Sequence, residues 1–240
     1  MYKKEAKLRY FSNFTAKMDS MFLHKIKYCF WTILFLSMGS QPLNAQNRFK
    51  GGAILGFNAS QMDGDQAAGY HKVGLNAGLR AIILLQPKMD ISLDLLYSQR
   101  GSRTMEYESP EFRAVTLHYL EVPVLFHYKD WLAQDKNGNS FYKASIEAGV
   151  SYGRLFNTVP NDAFKLLFFH PLEKDKLTKN DISLTAGITF MFSAHWGVAA
   201  RTTQSLNRLY NPALYPDDPV LGRYNALRSY FASFQTIYIF

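Results

Sequence analysis

The sequence predicts an all-β fold, an eight-stranded antiparallel transmembrane β-barrel with an N-terminal signal peptide. Three observations lead to this prediction. One apolar stretch of signal-peptide length lies near the N-terminus, several later segments alternate polar and apolar residues, and long polar loops alternate with short turns. A length of 240 residues fits one such domain.

The signal peptide is predicted at residues 21–45. His24, Lys25 and Lys27 form a short basic start, and residues 28–38 form an apolar core. The core is much shorter than the roughly 20 residues that a membrane-spanning helix needs. This length favours a cleaved signal peptide over a membrane anchor.

The predicted domain boundaries follow from the cleavage site. Ala45 is small, as suits the residue before the cut, although Leu43 is larger than the ideal. We therefore expect residues 46–240 to form the barrel domain. Residues 1–20 are polar and precede a second Met, so we expect them to be an upstream extension from a misplaced start codon.

Most of the net positive charge lies before the barrel. The chain carries a net charge of +8. Residues 1–45 contain seven Lys and Arg and two acidic residues, so residues 46–240 contain twenty Lys and Arg and seventeen acidic residues. This near balance argues against a nucleic-acid partner. Cys29 is the one cysteine and lies in the predicted signal peptide, so the mature chain would have no disulfide, thiolate metal site or lipoprotein anchor.

Eight segments have the composition of β-strands. They cover residues 48–59, 70–84, 89–101, 114–128, 141–155, 180–192, 195–206 and 228–240. In the third segment, Ile91, Leu93 and Leu95 alternate with polar residues that include Asp90 and Asp94. Such alternation gives each strand one apolar and one polar face.

A soluble β-sandwich would also alternate, but segment length and loop pattern favour the barrel. Most segments run about 12–15 residues, longer than the usual soluble strand and suited to a tilted membrane span. Tight or moderate turns are predicted at 86–88, 130–139 and 193–195. Long loops are predicted near 60–69, 102–113, 156–179 and 207–227. In bacterial outer-membrane barrels, short turns face the periplasm and long loops face outward.

The last strand carries a further sign of a barrel. Phe234, Tyr238 and Phe240 share one face of the segment "FASFQTIYIF". The segment resembles the end strand by which the bacterial barrel-assembly machinery recognises its substrates. We therefore expect that machinery to be a partner.

Charged residues on the polar strand faces are predicted to point into the lumen. An Arg or Lys that faced lipid at mid-bilayer would cost roughly 2–4 kcal/mol, and the lumen of eight strands is barely wide enough for side chains. An interior network of ion pairs that acts as a plug is therefore favoured over a narrow pore or a proton or ion path. The predicted members are Lys72, Arg80, Asp90, Asp94, Arg100, Glu121, Lys143, Glu147 and Arg201.

The sequence gives no cofactor or metal motif. The "DGD" at 63–65 resembles part of a calcium loop, but the later ligand positions are missing, so a polar turn is expected. The six His residues show no ligand spacing, and His127 and His195 fall at the predicted periplasmic rim.

Catalysis is disfavoured as well. A rim enzyme needs converging side chains. His118 could lie near Ser98 or Ser102 at the outer rim, with Glu106 or Glu108 in the loop, but no spacing is diagnostic.

The loop 156–179 is unusually apolar for an outer loop. Five large apolar residues occupy six positions: Phe164, Leu166, Leu167, Phe168 and Phe169. The alternatives are a loop or strand extension that packs on the barrel or lipid, and a surface that contacts protein or lipopolysaccharide.

Several segments resemble the outer-membrane β-barrel family that includes PorT and is widespread in the Bacteroidetes. They are "RFKGGAILGFNAS", "YHKVGLNAGL", "ISLDLLYSQRG" and "LHYLEVPVLFHY" at 117–128. The resemblance implies a barrel of the bacterial outer membrane. PorT is associated with type IX secretion, but no residue here identifies that member, and most members have no assigned role.

The expected function is therefore a non-enzymatic structural or interaction component of the outer membrane, with a PorT-like link to protein secretion. A small porin for ions or solutes is the main alternative, and a lipid-modifying envelope enzyme is a third. The expected partners are outer-membrane lipid, the barrel-assembly machinery and an envelope or secretion protein.

Overall fold

Period-two alternation of inward and outward side chains runs along most of each strand. The computed structural model describes residues 48–64, 69–104, 114–134, 138, 140–161, 177–211 and 226–240. The predicted extension 1–20, the signal peptide 21–45 and the apolar loop residues Phe164, Leu166, Leu167, Phe168 and Phe169 lie outside the described residues. Within the described ranges, no helix is long and apolar enough to cross a membrane.

Eight strands form the domain. They are β1 (Phe49–Asp63), β2 (Lys72–Gln86), β3 (Met89–Arg103), β4 (Ala114–Gln134), β5 (Ser140–Pro160), β6 (Asn180–Met191), β7 (Trp196–Ser205) and β8 (Arg228–Ile239). Each strand pairs antiparallel with its neighbour in sequence, and β1 pairs with β8 from Gly52 opposite Ile239 to Asp63 opposite Arg228. The predicted eight-stranded antiparallel barrel is confirmed.

Four strands are longer than predicted. β1 continues to Asp63, β3 continues to Arg103, and β4 and β5 are 21 residues each, so residues 130–134 of the predicted turn belong to β4. Leu132 pairs with Tyr142, and Gln134 pairs with Ser140, beyond the last alternating segment. Hydrogen bonds between two backbones need no apolar alternation, which is why the sequence pattern underestimated these lengths.

The barrel is apolar outside, and much of its interior is polar. Outward side chains such as Leu79, Ile146 and Ile188 are 60–62% exposed, whereas inward Asp94 and Arg100 are fully buried. A soluble barrel would have the opposite arrangement. The exterior therefore suits lipid, and the interior holds the polar groups.

Aromatic side chains surround the end of the barrel that carries the short turns. Trp131 and Phe192 each contact Phe190, with ring centroids 6.2 and 5.6 Å apart. The Tyr238 ring lies 4.7 Å from Trp196 and 5.7 Å from Phe240. Aromatic girdles occupy the membrane–water interfaces of such barrels. We call this the periplasmic end, and the end with the long loops the outer end.

Candidate functional site: the filled lumen

A cluster of ion pairs crosses the lumen between β2, β3, β5 and β7. Arg80 donates hydrogen bonds from Nε and Nη2 to Asp94 Oδ1 and Oδ2, both at 2.8 Å. Arg201 donates from Nη1 to Asp94 at 3.1 Å and from Nε to Glu147 Oε1 at 2.5 Å. All four side chains are at most 5% exposed. With His127, these residues form what we call the central cluster.

His127 joins this cluster from β4. Its Nδ1 lies 3.1 Å from Glu147 Oε2, and its Nε2 lies 2.8 Å from Ser92 Oγ. The Glu147 carboxylate thus contacts both His127 and Arg201. Charge-assisted contacts of this kind are stronger than neutral hydrogen bonds.

Gly187 provides the space that this pairing needs. It lies between Glu147 and Arg201 in the strand register. A Cβ there would lie 2.8 Å from Arg201 Cγ and 3.0 Å from Glu147 Oε1. A side chain at this position would therefore force the ion pair apart.

A second group of ion pairs lies nearer the outer end. Arg100 Nη1 donates to Asp181 at 2.7 Å, and Arg100 Nη2 lies 2.6 Å from Glu121. Ser151 donates to Glu121 at 2.7 Å, and Ser205 donates to Asp181 at 2.6 Å. We call Arg100, Glu121 and Asp181 the outer cluster. Its buried charges are both paired and hydrogen-bonded, as burial requires.

Aromatic rings cover the Arg100 guanidinium. Its Cζ lies 4.5 Å from the Tyr119 ring centroid and 4.2 Å from that of Phe231. Such cation–π contacts are strongest where water is excluded. Gly153 makes room here, because a Cβ would lie 3.2 Å from Tyr119 and 3.6 Å from Arg100.

Amide side chains form a further polar group inside the barrel. Asn58 donates to Ser98 Oγ and to the Gln99 carbonyl, both at 2.9 Å. Asn76 donates to Asn58 at 2.9 Å, and Gln235 donates to Asn76 at 3.3 Å. These residues link β1, β2, β3 and β8 across the interior.

An apolar cluster, which we call the outer plug, lies inside the outer end. Tyr119 connects it to the outer cluster, and residues beyond the strands, including Leu177 and Leu209, complete it. The described members are 0–7% exposed: Met62, Val115, Leu117, Tyr119, Leu155, Leu177, Leu209, Tyr210 and Leu227. Water has little access to this end of the lumen.

The periplasmic end of the lumen contains a cavity. Its volume is about 530 Å³, and its lining includes Ile82, Leu84 and Met191. Asp90 and Lys129 also line it and form an ion pair at 2.9 Å. The lumen is therefore filled towards the outer end and partly open towards the periplasm.

One ion pair lies outside the membrane-spanning part at this end. Lys88 Nζ contacts Asp130 Oδ1 at 3.0 Å, with both side chains well exposed. The hydrogen bond to Asp130 raises the pKa of Lys88 above its usual value. Exposed pairs of this kind contribute little stability.

Seven of the nine predicted lumen residues lie in these ion pairs, namely Arg80, Asp90, Asp94, Arg100, Glu121, Glu147 and Arg201. The structure departs from the prediction at the other two.

Lys143 lies with its Nζ 4.9 Å from the ring centroid of Trp131. Trp131 has a positive φ of 62°, is 60% exposed and contacts Phe190 on the barrel exterior. Lys72 is half-buried at the outer end of β2, where it forms no ion pair with a described residue. Neither lysine belongs to the described network.

Sequence reasoning missed three residues of the lumen. His127 was expected at the periplasmic rim, but it is 5% exposed and belongs to the central cluster. Asp181 and Lys129, which are not among the nine predicted charges, also lie in lumen ion pairs. His127 and Lys129 lie an even number of residues after Glu121, and Asp181 begins the polar face of β6, so alternation could have identified all three.

The three aromatic residues predicted on the last strand lie at the barrel exterior or its rim. Phe234 stacks on Phe57 of β1 with centroids 5.4 Å apart, and Tyr238 contacts Trp196. Phe240 is 68% exposed and donates its backbone N–H to Gly51 at 2.9 Å. β8 therefore closes the barrel with an aromatic surface directed outward.

The barrel wall separates the side chains that were weighed as an enzyme site. His118 Nδ1 lies 2.7 Å from the Tyr97 hydroxyl, whereas Ser98 and Ser102 are buried on the inward face of β3. Glu106 and Glu108 lie outside the described residues. Among the residues described, no group of three or more His, Cys, Asp or Glu could hold a metal ion.

A protein-family model with the description "Outer membrane protein beta-barrel domain" matches residues 40–211. This is well over half of the chain. The chain belongs to the outer membrane β-barrel domain family. As a member of that family, it resides in the bacterial outer membrane, which agrees with its apolar exterior. No curated protein matches the chain.

Several solved outer-membrane proteins are similar to this family member. They include Ail of Yersinia pestis at 12% identity, covering 80% of this chain and 99% of that one, with a TM-score of 0.41. The Neisserial surface protein A shares 11% identity, with coverage of 80% and 97% and a TM-score of 0.42. OprG of Pseudomonas aeruginosa shares 12% identity, with coverage of 80% and 94% and a TM-score of 0.37. The family assignment itself rests on the family-model match.

Proposed function

We propose that this protein is a non-enzymatic, non-conducting outer-membrane barrel that acts as a structural or interaction component of the envelope. The observation that supports this proposal most strongly is the filled lumen. The central cluster, the outer cluster and the outer plug lie one after another inside the barrel, and their described side chains are at most 7% exposed.

The charge balance also argues against an open ion path. The described lumen contains four cations and five carboxylates. The cations are Arg80, Arg100, Lys129 and Arg201, and the carboxylates are Asp90, Asp94, Glu121, Glu147 and Asp181. Every one of these charges has a partner of opposite sign within 3.1 Å. A porin would instead present unpaired charge to water and to the passing solute.

Planar-bilayer recording tests the closed state. We expect purified wild-type protein to give no stepwise conductance. The matched experiment uses a triple variant, Leu117→Ser, Tyr119→Ser and Arg100→Ser, which disrupts the outer plug and the outer cluster together. Folding of the refolded variant is verified by its shift in mobility on an unheated gel. Conductance in the triple variant alone would support the plug, whereas conductance in the wild type would favour the porin alternative.

The interaction role extends to partners that the sequence suggests. Outer-membrane lipid would cover the apolar exterior, and the barrel-assembly machinery would recognise β8 with Phe234, Tyr238 and Phe240. The link to protein secretion is supported by the resemblance of the 117–128 stretch to the PorT-containing family. The loop residues Phe164, Leu166, Leu167, Phe168 and Phe169 would provide a contact surface at the outer end.

Co-purification tests the interaction role. Tagged protein is isolated from outer membranes in mild detergent, and accompanying proteins are identified by mass spectrometry. A stoichiometric secretion component would support the PorT-like role. A barrel recovered alone would count against that role. If the double variant Phe168→Ser, Phe169→Ser no longer recovered the partner, the contact would be assigned to the loop.

A further inference from the structure

The β4–β5 hairpin extends beyond the rest of the barrel at the periplasmic end. The last residues paired between β3 and β4 are Met89 and Tyr128, and the last paired between β5 and β6 are Ala144 and Phe190. Beyond these, β4 and β5 pair only with each other among the described residues. We call residues 130–134 and 140–143 the periplasmic ribbon.

The ribbon has two exposed backbone edges. The backbone N–H of Lys129 donates to the Lys88 carbonyl at 2.7 Å. Beyond Lys129, no described strand pairs with the free edge of either ribbon segment. Unpaired edge groups are a template for another extended chain. The described ribbon contains no Pro, the residue that often protects such an edge.

The ribbon also forms one wall of the periplasmic cavity. Leu132, Ser140 and Tyr142 line that cavity together with Leu84 and Met191 of the barrel. Leu132 is 62% exposed although it faces this cavity. An apolar side chain that entered beside Leu132 would lose its contact with water.

The charge around the cavity is positive. Lys50 lines the cavity and is exposed, and Arg48, also exposed, lies two residues earlier, just before β1. Neither residue has a carboxylate partner among the described residues, whereas Lys88 and Lys129 are each paired with an aspartate. The free positive charge favours an acidic occupant.

We propose that the periplasmic ribbon and its cavity bind an extended, acidic segment of a periplasmic protein by strand addition. The backbone of the segment would pair with a ribbon edge. Side chains on one face of the segment would enter the cavity, apolar ones beside Leu132 and acidic ones towards Lys50 and Arg48. The proposal deepens the interaction role proposed above and rests on it.

Three synthetic peptides of eight residues test this site on the full barrel in detergent micelles. In the first, the Glu–Val peptide, Val and Glu take turns on one face of the extended chain and Ser occupies the other face. The second has Lys in place of Glu, and the third is the Glu–Val peptide with N-methyl groups on alternate residues. Fluorescence anisotropy of labelled peptides measures binding at low salt. We expect the Glu–Val peptide to bind at least about tenfold more tightly than either of the others, because charge and backbone donors both contribute.

Two pairs of variants locate the binding. Lys50→Glu should reduce the preference for the acidic peptide by about tenfold, while Arg208→Glu, an exposed charge reversal at the outer end, should leave it unchanged. Leu132→Asp should weaken binding by a similar factor, while Leu206→Asp at the outer end should have no effect. Equal affinity for all three peptides, or no binding at all, would overturn the proposal.

The outcomes separate this inference from the proposed function. A non-conducting barrel that bound none of the peptides would lose only the ribbon site. Binding of phosphatidylglycerol micelles without any peptide binding would assign the positive surface to lipid instead and would also overturn the inference. A conducting wild-type barrel would overturn the closed-barrel proposal whatever the peptides did.

Discussion

At the residue scale, the lumen arginines differ in how many carboxylates depend on them. Arg100 alone neutralises both Glu121 and Asp181 among the described residues. Asp94, in contrast, is shared by Arg80 and Arg201, so it keeps a partner when Arg80 is lost. Removing one partner of a buried pair is costly because the remaining charge is left without compensation.

This difference predicts an order of stability. Arg100→Met should lower the free energy of unfolding by about 3–5 kcal/mol, because two buried carboxylates lose their cation. Arg80→Leu should cost less, about 2 kcal/mol, because Asp94 keeps Arg201. Urea unfolding of the folded barrel, followed by tryptophan fluorescence, measures both.

Arg208→Met is the control for this series, since Arg208 is exposed at the outer end and hydrogen-bonds only to Asn211 among the described residues. Its unfolding midpoint should equal that of the wild type. A wild-type unfolding profile for Arg80→Leu, or a smaller loss for Arg100→Met than for Arg80→Leu, would contradict this account of the lumen.

At the element scale, β8 both closes the barrel and carries the aromatic residues that we expect the assembly machinery to recognise. It pairs with β1 on one side and with β7 on the other. Phe240 lies just beyond this strand, and its exposed ring makes one described ring contact, with Tyr238. Its burial therefore contributes little to the folded barrel.

Phe240→Ala should therefore slow assembly in cells while the purified variant unfolds like the wild type. Pulse–chase labelling, with the folded form detected on unheated gels, measures the assembly rate. Phe192→Ala is the matched control, because Phe192 is 61% exposed at the same end but lies outside β8. Equal slowing by both substitutions would point to a general effect of the aromatic girdle.

At the scale of the whole molecule, closure leaves each strand with two neighbours over most of its length. Every strand from β1 to β8 has a partner on both sides, so the membrane-spanning part exposes no edge to lipid. The periplasmic ribbon lies beyond this closed region, where water can satisfy its backbone groups. Its two open edges are therefore tolerated.

The mature chain is expected to begin at Gln46, immediately before the described barrel. N-terminal sequencing of protein recovered from outer membranes should give Gln46 as the first residue. Ala45→Pro should block processing and leave the longer precursor, because the peptidase needs a small residue in an accessible backbone at that position. Recovery of wild-type protein that still carries residues 21–45 would contradict the predicted domain boundary.

Alternation, segment length and the succession of long loops and short turns together determined the fold class and the number of strands. Alternation alone gave the side of each strand that faces lipid. Seven of the nine charges that alternation assigned to the interior lie in the ion pairs of the described lumen. A charge that faced lipid near the middle of the span would be costly. Sequence periodicity gives the face on which a residue lies. It does not give the height of that residue in the barrel or its partner.

Only the tertiary structure decided which charges meet. Strand tilt and register bring Arg100 to Asp181, 81 residues later, and Arg201 to Asp94, 107 residues earlier. The space at Gly187 and Gly153 and the contact of Trp131 with Phe190 on the barrel exterior also depend on neighbouring strands. Pairing across a closed barrel depends on the register and tilt of all eight strands together, which alternation along one strand does not give.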